Sequence, residues 1–151
     1  MFLVDFDAGQ VVRKVPGAKL HPPPDVEGLW ATVLESLVED EDVSTDPTWY
    51  VTVVNDDGVE IDAPSTLLAK ARTPGVRLLP GSMLSKLVIP RGVSLLPVKY
   101  TLGFPFARYS GNYEVTYGYD CGFLCSGSIT LVMAHDASGW HILSRRGNWQ
   151  S

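Results

Sequence analysis

Apolar positions along this chain change their period twice. Val26, Leu29, Trp30, Val33, Leu34, Leu37 and Val38 recur at spacings of three and four, which predicts an amphipathic helix. Asp25 stands where an N-cap is needed, and Glu27 puts a favourable charge in the first turn. The acidic run at 39–42 opposes the helix dipole, so it reads as a solvated exit rather than a metal site. Upstream, "FLVDFDAGQVVRKV" alternates Phe2, Val4 and Phe6 with polar neighbours around an Asp-Ala-Gly turn and predicts a hairpin. "PGAKLHPPPD" is too rich in proline for regular structure and makes a stiff lead-in, so residues 1–24 form an N-terminal appendage to the helix.

After the helix the period falls to two. "TWYVTVV" predicts a strand, "NDDG" a tight turn and "VEI" the returning strand. Asn55, Asp56 and Asp57 lack the alternating ligands and distal glutamate of a calcium loop. "PSTLLAKARTPG" predicts a second helix of about two turns, with Ser65 as its cap and "TPG" as its stop. Four prolines punctuate 74–97, and "GSMLSKLVI" within it fits either a helix or a strand. From Val98 onward "VKYTLGFPFARY", "NYEVTYGYDC", "SITLVMAH" and "WHILSRRGNWQ" predict a four-strand meander over 98–151. The whole is an α+β chain: an N-terminal amphipathic helix packed on a curved antiparallel sheet.

Both cysteines lie in "YDCGFLCSGS". A three-residue loop at 122–124 sets Cys121 opposite Cys125, Tyr117 opposite Ile129, Val115 opposite Leu131 and Tyr113 opposite Met133, so every apolar partner matches. A five-residue loop keeps the faces and pairs Cys121 with Gly127 instead. In the tighter register Cys121 and Cys125 are disulfide candidates, although so short a closed loop gains little entropy. A redox-sensitive pair is the alternative. A Cys-x-x-Cys redox motif would need one residue fewer and a helix start, and a zinc site would need two further ligands at a fitting spacing. The same pairing at "DASG" sets His135 opposite Trp140 and Met133 opposite Ile142, with His141 and Leu143 on the other face. These two histidines then lie about 23 Å from Cys121, at roughly 3.3 Å per residue, so neither forms a Cys-His dyad. His21 in the proline-rich segment is only a remote substitute.

An apolar fraction of 45% over 151 residues is enough for one sizeable core, so a single domain over 1–151 is expected. Net charge is −5, but residues 1–62 carry −11 and residues 63–151 carry +6. Packing of the two halves against each other is the simplest consequence. The scattered bases of an acidic chain disfavour nucleic acid as a partner. No apolar run reaches the roughly 18 residues of a membrane span. Aspartates at 5 and 7 interrupt the place of a signal peptide, which points to the cytoplasm, or to export if the N-terminus was trimmed.

The C-terminal third resembles a group of uncharacterised bacterial proteins that end in an aromatic strand, a Cys-Gly-x-Leu-Cys-x-Gly turn, Gly-Trp-x-Ile and Trp-x-Ser. Those positions are here Cys121, Gly122, Leu124, Cys125, Gly127, Gly139, Trp140, Ile142, Trp149 and Ser151. Many members are exported, so the resemblance implies export where the N-terminus implies cytoplasm. The order of elements is similar to the NTF2-like (cystatin-like) α+β cone, which hosts isomerases, dehydratases, binding pockets and interaction modules.

Two functions follow. The first is a non-catalytic module binding a small molecule or a protein, through a pocket between sheet and helix or through the hairpin tip. Tyr113, Tyr117, Tyr119 and Trp140, with Trp149, are its candidate ligand-binding residues, and Arg145 and Arg146 a candidate anion clamp near the cysteines. The second is a small NTF2-like enzyme of isomerase, dehydratase or hydrolase type, with His135 as cavity acid or base and Asp136 beside it. No metal or cofactor is called for, and the oligomeric state is open.

Overall fold

The computed structural model describes residues 22–40, 48–86, 97–121 and 125–149. The expected N-terminal hairpin and the loop at 122–124 lie outside them. The predicted helix is α1, Val26–Asp40. Asp25 Oδ1 accepts a bond from Gly28 N at 3.1 Å and caps it as expected. Leu29, Val33, Leu34 and Leu37 are fully enclosed, and each such side chain contributes about 1.5–3 kcal/mol of burial.

"TWYVTVV" and the segment after the turn form β1, Thr48–Val54, and β2, Glu60–Asp62, paired antiparallel. Asn55 Oδ1 accepts from Asp57 N and Val59 N, and Gly58 takes φ 81°, so the asparagine side chain is spent on fastening the turn. The chain then leaves the sheet as α2, Ser65–Lys70, and returns as β3, Arg77–Pro80. Ser65 is the first residue of α2 and not its cap. Pro64 precedes it, and its carbonyl takes the bonds from Leu67 N and Leu68 N. β2 and β3 share one edge of β1: β2 meets residues 52–54 antiparallel and β3 meets residues 48–51 in parallel.

"GSMLSK" is neither an α-helix nor a strand but a 3-10 helix, Gly81–Lys86, laid over the face of β1 that points away from α1. The meander follows as β4, Lys99–Leu102; β5, Phe106–Ala107; β6, Tyr113–Asp120; β7, Ser126–Asp136; and β8, Gly139–Trp149. "VKYTLGFPFARY" is therefore two strands, divided where Gly103 approaches Thr116 too closely for a side chain and Pro105 lacks an N–H to donate.

The main path through the sheet is β2-β1-β4-β6-β7-β8. It is curved and mixed rather than wholly antiparallel, because β4 lies parallel to β1. The long excursion through α2, β3 and the 3-10 helix permits that crossover, which a tight hairpin could not make. The register deduced from apolar matching is the one observed: Tyr113↔Met133, Val115↔Leu131, Tyr117↔Ile129, His135↔Trp140 and Met133↔Ile142.

One face of the sheet receives α1 and α2. Trp49, Val51, Val53, Tyr100, Leu102, Val115, Leu131 and Met133 close on the helix. Two indoles fasten the ends of this packing: Trp30 Nε1 donates to Gly103 O at 2.8 Å and Trp140 Nε1 to Asp25 O at 3.1 Å. Two carboxylates of α1 hold α2: Glu27 Oε2 accepts from Thr66 Oγ1 and Glu35 Oε2 from Arg72 N, each at 2.8 Å.

Candidate functional site

The aromatic residues picked out as cavity lining lie within the packing. Tyr113, Tyr117 and Trp140 are 7%, 3% and 7% exposed, and the Tyr113 and Trp140 rings meet edge to face with centroids 5.3 Å apart. Tyr119 is half-buried against the same cluster. Side chains fill the space between sheet and helix where an enzyme of the cone type needs a chamber. An open recess of about 520 Å³ lies elsewhere, between the exit of α2 and β3, floored by Leu68, Ala71, Val76 and Leu78. It contains neither His135 nor a carboxylate.

His135 is exposed, its ring tilted on Trp140 with centroids 4.8 Å apart. Its neighbour Asp136 belongs to a group that sequence reasoning missed. Ser138 N and Ser138 Oγ donate to Asp136 Oδ1 at 2.8 and 2.7 Å. His141 Nε2 stands 3.1 Å from that same oxygen and 2.9 Å from Ser138 Oγ. The two Ser138 bonds, then the bond from His141, lower the Asp136 carboxyl to about 2. The signal was readable: Asp-x-Ser-Gly is an aspartate-led turn, and His141 leaves β8 on the same face as Asp136.

Serine, histidine and aspartate within hydrogen-bond reach invite a nucleophilic reading, and the atoms refuse it. An ionised carboxylate only accepts, so Nε2 must carry a proton to bond Oδ1, and the Ser138 hydroxyl gives its own proton to the same oxygen. Nε2 is thus a donor, unable to take a proton from Ser138. A triad also sets carboxylate and hydroxyl on opposite ring nitrogens, whereas both meet Nε2 here. The group is a fastening for the two-residue turn between β7 and β8, where Gly139 takes φ 112°.

Cys121 and Cys125 face each other with Cα atoms 5.2 Å apart and sulfurs within bonding distance, and Cys121 N donates to Cys125 O at 2.8 Å. The ladder below them runs unbroken from Asp120↔Ser126. No cluster of three or more His, Cys, Asp or Glu suited to a metal occurs among the described residues.

The arginines do not converge. Arg145 pairs with Leu131 and Arg146 with Thr130, so their side chains leave opposite faces of β8. Thr130 is five residues from Cys125 along β7, roughly 16 Å at about 3.3 Å per residue, which separates both from the cysteine tip. They sit on the exposed half of β8. Its first half is held by Trp140 and Ile142 in the core; a bulge opposite Val132 and Met133 follows, and residues 143–147 are exposed throughout.

The face of β1 and β4 away from α1 carries a polar network. Thr52 Oγ1 donates to Glu60 Oε2 at 2.8 Å and lies 3.0 Å from Thr101 Oγ1, and Lys99 Nζ is 3.0 Å from the same Glu60 oxygen. Bonds from Thr52 and Lys99 hold the Glu60 carboxyl below its ordinary range. The 3-10 helix docks beside it, with Ser82 N and Ser82 Oγ donating to Asp62 at 2.8 and 2.6 Å.

No helix among the described residues is long and apolar enough to cross a membrane. Compared with protein-family models, curated proteins and solved structures, the chain has no match.

Proposed function

We propose that this chain is a non-catalytic protein-interaction module that works through the exposed half of its C-terminal meander. The observation that carries the reading is the state of β8. It ends the main path of the sheet, pairs with β7 alone among the described residues, and leaves 143–147 uncovered. An edge strand with free backbone groups is a ready site for another chain. Two further observations support it. The helix-facing side of the sheet is spent on packing, and the titratable group at the β7–β8 turn is spent on holding that turn. An NTF2-like enzyme would need an enclosed chamber with an acid or base inside it, where this chain has Leu34, Leu131 and Met133.

The test replaces Leu143 with a photocrosslinking phenylalanine in cells of the native host. The same replacement at Ile61, an exposed apolar residue of β2, is the control. A discrete protein adduct from position 143 and none from 61 is expected. Absence of adducts at 143, or equal adducts at both, overturns the reading, as does turnover of an acid–base substrate that His135→Ala abolishes.

A further inference from the structure

The exposed half of β8 also selects by charge. We infer that the segment it receives is an acidic, extended strand of another protein, added alongside residues 144–149; this rests on the reading of β8 as the working edge.

Length and order come first. Six residues at about 3.3 Å each give roughly 20 Å of straight edge, the length of an ordinary strand. These residues stay in register with β7 from Ser144↔Val132 to Trp149↔Gly127, so the inner side is satisfied while alternate backbone groups point outward. Addition of a strand to such an edge takes its affinity from main-chain bonds and its specificity from flanking side chains.

The flanking side chains are basic. Arg145 and Arg146 are exposed, and the facing stretch of β7, residues 126–132, holds no charged residue. Arg146 has no ion pair among the described residues. Because consecutive strand residues point to opposite faces, an incoming strand with adjacent acids meets one arginine on each face of the sheet. A second copy of this chain is a poor occupant. Antiparallel pairing of β8 with itself near residues 143–147 gathers four guanidiniums within about two residue positions, and like charges across a ladder destabilise it. Leu143, 55% exposed at the bulge, adds an apolar contact at the start of the edge.

The experiment uses the full chain and two blocked nine-residue peptides of valine and threonine with an adjacent pair of charged residues at the centre, acidic in one and lysine in the other. Residue-resolved amide exchange and fluorescence anisotropy are read at low and high salt. The acidic peptide is expected to protect alternate amides within 144–149 and to bind more weakly as salt rises. Each arginine lost should weaken it by up to about fivefold, the worth of one exposed pair. The variant R145E/R146E should reverse the preference and take the lysine peptide, which a merely unfolded variant cannot do.

Equal protection by both peptides, or none by either, overturns the inference, while an adduct at position 143 would still uphold the interaction reading. Protection that grows with protein concentration without peptide names a second copy and overturns it. Protection in the free chain that D5K/D7K removes names the chain's own N-terminal segment, and also overturns it.

Discussion

A cross-face contact between Gly81 and Thr52 fixes how the 3-10 helix lies on β1, and it can be tested by adding one atom. A Cβ built on Gly81 stands 2.2 Å from Thr52 Cγ2 and 3.3 Å from Val51 O. Ordinary carbon–carbon contact needs about 3.5–4.0 Å, so the 3-10 helix or Thr52 must move by more than an ångström. Thr52 is poorly placed to yield, being 6% exposed and bonded to Glu60. Gly81→Ala should therefore destabilise by about 1–3 kcal/mol, the usual cost of overpacking. At this chain length that is a fall in Tm of roughly 2–4 °C per kcal/mol. Thr52→Ser removes Cγ2 and keeps the hydroxyl, so it should cost under about 1.5 kcal/mol alone and relieve the clash in the double variant. Urea unfolding of the four proteins closes the cycle, with coupling of at least about 1 kcal/mol expected. Additive effects, or a neutral Gly81→Ala, would refute the close approach of the 3-10 helix to β1.

The Asp136 carboxyl should titrate near 2 by side-chain carbonyl NMR, and Ser138→Ala should raise it most, since the two Ser138 bonds are the largest causes of the shift and the hydroxyl supplies one of them. Because the folded value is depressed below 3.8, the group's stabilisation is complete above the unfolded value and is lost as pH falls from there towards 2; a midpoint unchanged by Ser138→Ala would exclude the fastening role. A thiol count without reductant should find neither cysteine free. Closing a five-residue loop is worth about 2 kcal/mol at most on the chain-entropy view, so Cys121→Ser/Cys125→Ser should fold with a modestly lower urea midpoint, and a loss of folding would show the bridge to be essential.

Much of the meander was legible because its strands are neighbours in sequence. A tight turn leaves only registers that differ by whole residues, and a slip of one residue would turn Leu131 and Met133 away from α1. Partners separated along the chain were not legible. Nothing local in "KYTL" says that it lies parallel to β1, nor in "RLLP" that it shares an edge with β2, because those choices depend on where α2 packs. The bulge at Leu143 carries no glycine or turn residue to announce it. At the site, the sequence located the strand that holds Arg145 and Arg146 but assumed they would converge, although period two already sent adjacent residues to opposite faces. The Asp136, Ser138 and His141 group was legible in the Asp-x-Ser-Gly turn and in the shared face of Asp136 and His141, a face that His135 does not share.

The uneven charge of the chain takes a local form once folded. Among the described residues, ion pairs join the acidic first part to the basic second part where Lys70 meets Asp25 at 3.7 Å and Lys99 meets Glu60 at 3.0 Å. Each lies where α1 or β2 comes alongside a basic residue. α1 reaches β8 through Trp140, whose indole bonds the residue before the helix, and Ile142 packs against the same core. Beyond the bulge residues 143–147 of β8 are exposed, and the neighbouring stretch of β7 is neutral. Neutralisation between the halves thus follows from where elements touch. If β8 is the working edge we propose, its outward backbone groups and its exposed arginines act on the same partner strand.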